Sequence, residues 1–254
     1  IFSDISENSN PLTLSRQPVT LIFDIGKTTK KVLVFDISFQ VLEEQTTTFQ
    51  EIVDDDGFPS EDLGKVSDWV LDIFRQYSSH PTYNITQWNF SSYGASLVHL
   101  DQAGKRIDPF YNYLKPYPSP IRELFDSLYG PEKTASAVTA SPFLGLLNSG
   151  LQLFWLKHNK PDHFKRIHTS LHLPQYFTYL LTGKTFCDIT SVGCHTMLWD
   201  FQRQDYHEWV RREEFVKLFP AIQRADYTFT SSFLHQSMKA GVGVHDSSAA
   251  LMPY

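Results

Sequence analysis

The sequence DIGKTT at residues 24–29 combines a carboxylate with a turn that could bind an anion. Gly26 permits a turn that residues with a Cβ resist, and successive backbone N–H groups in such a turn can converge on a phosphate. Thr28 and Thr29 add hydroxyl donors, and Asp24 could bind Mg²⁺ through its oxygens. Taken alone, the segment is explained more simply as an ordinary hairpin turn. It is not a Walker A loop, because no G-x-x-x-x-G-K-[ST] sequence occurs in the chain.

A second carboxylate, Asp246, stands in the sequence GVHDSSAA at residues 243–250, where a predicted strand meets a predicted helix. The positive partial charge and unpaired N–H groups of a helix N-terminus favour an anion nearby. Asp246 could accept a proton from a substrate hydroxyl as that hydroxyl attacks phosphorus, since phosphoryl transfer requires mainly positioning and charge neutralisation. Taken alone, Asp246 is explained more simply as a helix cap.

A third group of residues has the composition of a polyol site. It comprises YGAS at residues 93–96, VHLD at 98–101 and YNYLKP at 111–116. Small residues let a ligand approach the backbone, while Tyr, Asn and Lys offer stacking and hydrogen bonding. A core strand followed by a packed aromatic loop explains the same residues equally well.

Two other groups of residues give weaker evidence of a functional site. Cys187, Cys194 and His195 match no zinc-binding spacing. His168 and His172 are four residues apart, which is typical of a solvated helix face. Neither grouping favours a second site.

The elements that must position these residues follow from the hydrophobic pattern. Strands are predicted at residues 19–23, 30–38 and 41–52, and short turns between them favour an antiparallel meander, because parallel neighbours need long crossovers. Residues 85–101 predict a strand, a turn with a glycine and another strand.

Helices dominate the middle of the chain. Ser60 is the expected N-cap of a first helix, in which Leu63, Val66, Val70 and Phe74 recur at helical spacing. From about residue 119 to 217 the pattern is mostly helical, and Gly183 stands in a C-cap position. The best helices are predicted at residues 149–158, 173–181 and 208–218.

Composition excludes several classes of protein. The chain has 254 residues, 41% of them hydrophobic, and a net charge of −6, which allows a sizeable core and argues against disorder. We expect neither nucleic acid nor a membrane as a partner, since no basic run occurs and no stretch approaches the ~18 apolar residues of a membrane span. Residues 1–17 predict a mobile leader. Two cysteines without a disulfide pattern favour a cytoplasmic protein.

The order and spacing of these motifs resemble the FGGY family of carbohydrate kinases. The resemblance rests on the early DIGKT hairpin, the GAS strand pair, LLTG in the helical stretch, LQLFWLKHNKPDHF at residues 151–164 and the late GVHDSSAA, and it covers about residues 18–254. DIGKT, YNYLKPYP and VHDSSAA look most like the deoxyketose branch, similar to rhamnulokinases and fuculokinases. The family implies an α/β fold: an actin-like, ribonuclease-H-like lobe with a mixed sheet, an antiparallel meander followed by parallel strands, and an inserted helical region.

The same resemblance implies ATP and Mg²⁺ as cofactors, Asp246 as the general base and Asp24 as the metal-binding residue. The residues expected to meet the phosphates are Asp24, Gly26, Lys27, Thr28 and Thr29. Those expected to contact the sugar are Gly94, Ala95, Asn112, His245 and Ser247. Residues 18–249 would form the N-terminal lobe, and residues 250–254 would begin a second, absent ATP-binding lobe.

Two departures from the family pattern limit this inference. Many members carry W-x-D-x-R where this chain has YNYLK at 111–115, so the identity of the sugar cannot be transferred. The chain between Pro220 and Asp246 is also short, so either a loop is trimmed or residues are missing near 233–241.

The function expected is transfer of the γ-phosphoryl group of ATP to a hydroxyl of a ketose or polyol, with a deoxyketose such as rhamnulose or fuculose favoured. A non-catalytic sugar-binding or regulatory protein is one alternative. An actin-like ATPase that acts on other partners is another. The expected ligands are a small sugar and ATP, and the assembly stays open, with a homodimer among the alternatives.

Overall fold

The structure is a computed structural model that describes residues 16–251, apart from the side chains of residues 132 and 133. The predicted leader therefore lies almost entirely outside the described residues, and Gln17 is already the first residue of a strand. Across this described range, no helix is long and apolar enough to cross a membrane.

Along the described chain, five strands precede the first helix, and four α-helices follow one another between β8 and β9. The strands are β1 Gln17–Ile25, β2 Lys30–Phe35, β3 Val41–Thr47, β4 Ile52–Val53, β5 Pro59–Ser60, β6 Tyr83–Ser92, β7 Leu97–Leu100, β8 Arg106–Ile107, β9 Thr169–His172, β10 Cys187–Asp188, β11 Trp199–Asp200, β12 Asp205–Tyr206, β13 Ile222–Gln223, β14 Thr228–Phe233, β15 Gln236–Gly241 and β16 Val244–His245. The α-helices are α1 Leu63–Ser78, α2 Ser119–Tyr129, α3 Glu132–Thr139, α4 Ser149–Asn159, α5 Pro161–Phe164, α6 Leu173–Thr182, α7 Ile189–Val192, α8 Glu208–Arg212 and α9 Asp246–Leu251. Short 3₁₀ helices span Gly145–Leu147 and Phe215–Leu218.

The main sheet has seven strands in the order β14-β15-β6-β1-β2-β3, with β16 also paired to β6. Strands β1, β2 and β3 form the predicted antiparallel meander. Strand β6 then runs parallel to β1, β15 and β16. The mixed α/β sheet expected from the sequence is confirmed.

Helix α1 covers one face of this sheet. Its predicted apolar stripe is buried, and Phe74 stacks on Phe23 of β1 with ring centroids 5.4 Å apart. The predicted N-cap was wrong: Asp62, not Ser60, accepts a hydrogen bond from the Lys65 N–H. Ser60 lies in β5, where its hydroxyl donates a hydrogen bond to the Phe110 carbonyl. A carbonyl buried at that position needs such a partner.

Most of the helical region between β8 and β14 packs around a second hydrophobic core, whereas Leu171 of β9 and Leu173, Tyr176, Phe177 and Leu181 of α6 join the core of the main sheet. Two of its three predicted helices form as expected, and Gly183 is a left-handed C-cap. The third, at 208–218, was wrong as one helix. It breaks after Arg212, and Glu214 adopts a left-handed φ of 63°. At the break, the Glu213 carboxylate lies 2.6 Å from Lys157 Nζ.

The histidines His168 and His172 and the segment at residues 233–241 all lie outside the helices. His168 and His172 share no helix face, because His172 ends β9, where it is buried and hydrogen-bonded to Ser149 at 3.0 Å. Residues 233–241 form a continuous hairpin whose two turn residues, Leu234 and His235, both have positive φ.

Candidate active site

The two carboxylate turns meet at one edge of the main sheet. In β6, Ser91 pairs with Asp24 of β1 on one side and with Val244 of β16 on the other. Because these three strands are parallel, their carboxyl ends reach the same edge, and the turns that follow β1 and β16 flank the end of β6. Asp246 is the first residue after β16. The fold therefore brings together two motifs from opposite ends of the chain.

The turn that follows β1, residues 26–29, is here called the phosphate turn. The Gly26 N–H donates to the Thr29 carbonyl at 3.0 Å, and a Cβ on Gly26 would lie only 2.9 Å from that oxygen. A glycine is therefore needed for close approach. Thr28 and Thr29 are exposed. Lys27 Nζ lies 2.5 Å from Glu51 Oε1, so its charge is already partnered.

Asp24 and Asp246 influence each other electrostatically. The pKa of Asp24 is raised above its ordinary value, mainly by burial and then by the negative charge of Asp246, while Lys31 opposes the shift. The partly buried carboxylate of Asp24 offers oxygen ligands of the kind that Mg²⁺ prefers. This donor set therefore fits the metal that the sequence predicts.

A cavity of about 240 Å³ opens beside Asp246. It brings together four of the five predicted sugar-contacting residues with the predicted base. The lining residues among the predictions are Gly94, Ala95, His245, Asp246 and Ser247. The remaining walls are Tyr93, Tyr113, Leu147, Cys194 and His195. Sequence reasoning missed Leu147, an apolar residue in a 3₁₀ helix that carries no signal of a site.

His245 and Gly94 pack directly against each other. A Cβ on Gly94 would lie 2.3 Å from His245 Cδ2, so only glycine fits against the ring. His245 is buried, and burial lowers its pKa despite the neighbouring Asp246 charge. The Ser247 N–H donates to its Nδ1 at 3.2 Å, and the same nitrogen lies 3.2 Å from Asp246 Oδ1.

Asp246 Oδ1 accepts hydrogen bonds from the N–H and the hydroxyl of Ser247, at 2.6 and 3.3 Å. A capping side chain would instead accept from the N–H two or three residues further on. The Asp246 side chain is 35% exposed. The carboxylate that lines this cavity is therefore accessible to a substrate hydroxyl.

Hydrogen bonds from the side chains of Gln175, Asp188 and Thr190 fix the backbone of Gly243 and His245. Asp188 Oδ2 accepts from the Thr190 hydroxyl at 2.6 Å, and Thr190 Oγ1 accepts from the His245 N–H at 3.0 Å. Gln175 donates to Asp188 Oδ1 at 3.1 Å and to the Gly243 carbonyl at 2.8 Å. These residues come from separate elements, so sequence reasoning missed them. The only available signal was the Asp-x-Thr spacing of a helix N-cap.

The structure does not bring Asn112 to the cavity. Its side chain is buried, the amide donates to the Pro59 carbonyl at 2.8 Å, and Oδ1 accepts from the Leu114 N–H at 3.0 Å. These contacts shape the loop in which Tyr113 reaches the cavity wall. The expected sugar contact of Asn112 is therefore not supported, because its hydrogen-bonding groups are used within the loop.

The rest of that loop is bound to three adjacent aspartates, residues 54–56. Lys115 Nζ lies 2.6 Å from Asp54 and 2.5 Å from Asp56, and Lys160 Nζ lies 2.7 Å from Asp56. The aspartate oxygens are close enough together to hold a cation. Two lysines already supply positive charge there, so we interpret the cluster as a set of structural ion pairs that hold the loop in place.

Comparison with known proteins agrees with this geometry. Residues 19–245 match the N-terminal domain of the FGGY family of carbohydrate kinases. The chain is similar to L-fuculokinase of Escherichia coli strain K12, at 23% identity over 217 residues that cover 83% of this chain and 45% of the relative. It is also similar to rhamnulokinase of Pectobacterium atrosepticum, at 27% identity over 167 residues, which cover 63% of this chain and 33% of the relative.

Among solved structures, a carbohydrate kinase from Novosphingobium aromaticivorans superposes with a TM-score of 0.79 and 28% identity, covering 91% of this chain and 50% of that one. This likeness confirms the expected actin-like fold. The chain spans less than half the length of the two curated relatives. Because the family match extends over most of its residues, the chain belongs to the FGGY family of carbohydrate kinases, whose N-terminal domain it contains.

Proposed function

We propose that the protein containing this chain transfers the γ-phosphoryl group of ATP to a hydroxyl of a ketose or polyol. The observation that supports this most is the meeting of Asp24, the phosphate turn and Asp246 at one sheet edge, beside a cavity of sugar size. Phosphoryl transfer requires this combination of anion binding, charge neutralisation and an oriented nucleophile.

Asp246 is the proposed general base. Its carboxylate lines the cavity, is partly exposed and is held in place by Ser247. It accepts the proton of the attacking hydroxyl, a step that typically contributes about 10²–10⁴-fold to the rate. The burial that lowers the pKa of His245 supports this role, because an imidazolium at that position would weaken the base.

The phosphate turn and Asp24 are the proposed ATP and Mg²⁺ contacts. The exposed hydroxyls of Thr28 and Thr29 are available to phosphate oxygens. Asp24 would hold the metal, directly or through water, and bound Mg²⁺ would neutralise phosphate charge. Lys27 would turn from Glu51 toward the phosphates, since its ion pair is partly exposed and weakly held.

The cavity favours a neutral, partly apolar sugar. Among the described residues that line it, none is Lys or Arg, so nothing there matches the carboxylate of a sugar acid. Leu147, Ala95 and Cys194 form apolar wall, and Tyr93 and Tyr113 offer ring faces. A deoxyketose such as fuculose or rhamnulose has a methyl group that this wall would accept, and the names of the two relatives support the same choice.

The test is ATP turnover by the full-length protein with Mg²⁺ and fuculose, rhamnulose, xylulose, ribulose or glycerol. We expect one deoxyketose to give the highest kcat/KM. A folded, full-length protein that phosphorylates none of these sugars would contradict the proposal.

A non-catalytic sugar-binding protein is the second candidate. The observation in its favour is that Asn112 and Lys115, at the position of the family's sugar-gripping segment, are used in contacts within the protein. It predicts that sugar binds, as measured by calorimetry, without ATP turnover. It also predicts that Asp246→Asn leaves every measured property unchanged.

A further inference from the structure

Three buried polar side chains connect the phosphate turn to the wall of the cavity. Lys30 is only 2% exposed, and its Nζ donates to the Lys27 carbonyl at 3.0 Å. The same Nζ forms an ion pair with Glu61, which is 5% exposed. Glu61 in turn accepts a hydrogen bond from the hydroxyl of Tyr93. We call these three residues the Lys30 relay.

Each end of the relay touches a proposed functional part. Lys30 follows the phosphate turn directly and binds one of its carbonyls. Tyr93 lines the cavity, and its N–H donates to the Ile25 carbonyl at 3.3 Å, next to the same turn. Burial and the Glu61 charge raise the pKa of Tyr93 well above its ordinary value, so its hydroxyl stays a donor. The relay therefore connects the phosphate turn, which follows β1, to the part of the cavity wall that follows β6.

A buried ion pair of this kind contributes little net stability to the fold. Removing a lysine and a glutamate from water costs several kcal/mol each, and a well-packed apolar pair is often as stable. A buried ion pair does fix the relative position of the elements that carry it, because either partner becomes an uncompensated charge when the other moves. Here those elements are β2, the segment before α1 and the segment after β6.

We propose that Lys30 is a positioning residue, which through Glu61 and Tyr93 holds the phosphate turn at a fixed distance from the sugar cavity. The inference rests on the proposed phosphotransfer, because only a two-substrate reaction needs the two surfaces in register. A misplacement of about 1 Å can cost about 10²-fold in rate when two reactants must meet.

The helical region supplies a control with the same residue types. There Lys157 pairs with Glu213 at 2.6 Å, and Glu213 also accepts a hydrogen bond from the hydroxyl of Tyr129. None of these three residues lines the cavity beside Asp246. The Lys157 side chain is 35% exposed, against 2% for Lys30, so the control tests the residue types and not the full burial of the pair.

The test variant is Lys30→Met/Glu61→Gln in the full-length protein, because changing both residues leaves no buried charge without a partner. We expect kcat to fall about 10²-fold, because the two bound reactants no longer meet at the required separation. We expect the KM for MgATP and the KM for the accepted sugar to change less than kcat. The control variant Lys157→Met/Glu213→Gln should leave kcat and both KM values within about twofold of wild type.

Amide hydrogen exchange gives a second readout that needs no turnover. The relay predicts faster exchange at residues 26–29 and 93–96 together in the test variant, and at neither segment in the control. Wild-type activity with unchanged KM values in the test variant would overturn the relay and leave the proposed function standing. If wild type phosphorylates no sugar, the proposed function fails, and unchanged exchange at both segments then overturns the relay independently.

Discussion

Replacing Asp246 with asparagine tests the proposed chemistry most directly. The amide oxygen of asparagine can still accept the Ser247 N–H, which lies 2.6 Å from Oδ1, so the turn should keep its shape. The amide cannot accept a proton near neutral pH. We therefore expect kcat to fall about 10²–10⁴-fold, as is typical for loss of a general base. At 1.36 kcal/mol per factor of ten, this corresponds to about 2.7–5.4 kcal/mol of lost transition-state stabilisation.

The same substitution should change Asp24 in a defined direction. The charge of Asp246 raises the pKa of Asp24, so its removal lowers that pKa and leaves Asp24 more fully ionised at any given pH. Binding of Mg²⁺ needs the ionised form, so the KM for MgATP should not rise although kcat collapses. The pKa is measured by titration of the Asp24 carboxyl carbon by NMR, in wild type and in Asp246→Asn.

The assay is steady-state turnover of the full-length protein with its best sugar from the panel. Asp226→Asn is the matched control, since Asp226 is exposed and, within residues 16–251, forms an ion pair with Arg224 alone. It should leave kcat and both KM values within about twofold. If Asp246→Asn keeps kcat within about threefold of wild type, Asp246 is not the base and the reasoning is refuted.

Two further predictions concern the cavity wall and the buried histidines. Gly94→Ala should raise the KM for the sugar about tenfold or more, because the added Cβ would lie 2.3 Å from His245 Cδ2. The control Gly64→Ala, on α1, should leave this KM unchanged. Equal KM values in the two variants would contradict the packing argument. Burial lowers the pKa of His99 and His172 to about 3, so the unfolded chain binds more protons between that pH and about 6.5. Urea denaturation should show that the free energy of unfolding decreases, for each histidine, by about 1.4 kcal/mol per unit as the pH is lowered from about 6 to about 4. His99→Gln should remove about half of the slope that the two histidines produce. An unchanged slope in His99→Gln would contradict this prediction.

Local patterns predicted the elements well where one physical cause dominates. Alternating apolar residues and short turns were enough for the β1–β3 meander, because adjacent antiparallel strands are specified by nearby residues. The α1 stripe and the Gly183 cap are local for the same reason. Prediction failed where a distant contact competes, as at Glu213, whose inward turn toward Lys157 ends a helix that local propensity would continue.

The candidate site shows the same division. DIGKTT and GVHDSSAA were recognisable by type and order, and both reach the active edge of the sheet. Asn112 looked equally suitable by residue type, yet its amide is used on the Pro59 carbonyl. Composition cannot distinguish a side chain that faces a ligand from one that satisfies a buried backbone group, since both need the same donors and acceptors.

By itself, the sequence determined which residues could do the chemistry: the two aspartates, the glycines that allow close approach and the hydroxyls between them. Only the tertiary structure decided which of these meet. Parallel pairing of β1 and β16 with β6 brings Asp24 and Asp246 together, and burial around Lys30 ties the phosphate turn to Tyr93. The physical reason is that side-chain chemistry is a local property, whereas distance, burial and electric field at a site are produced by contacts between residues far apart in the chain.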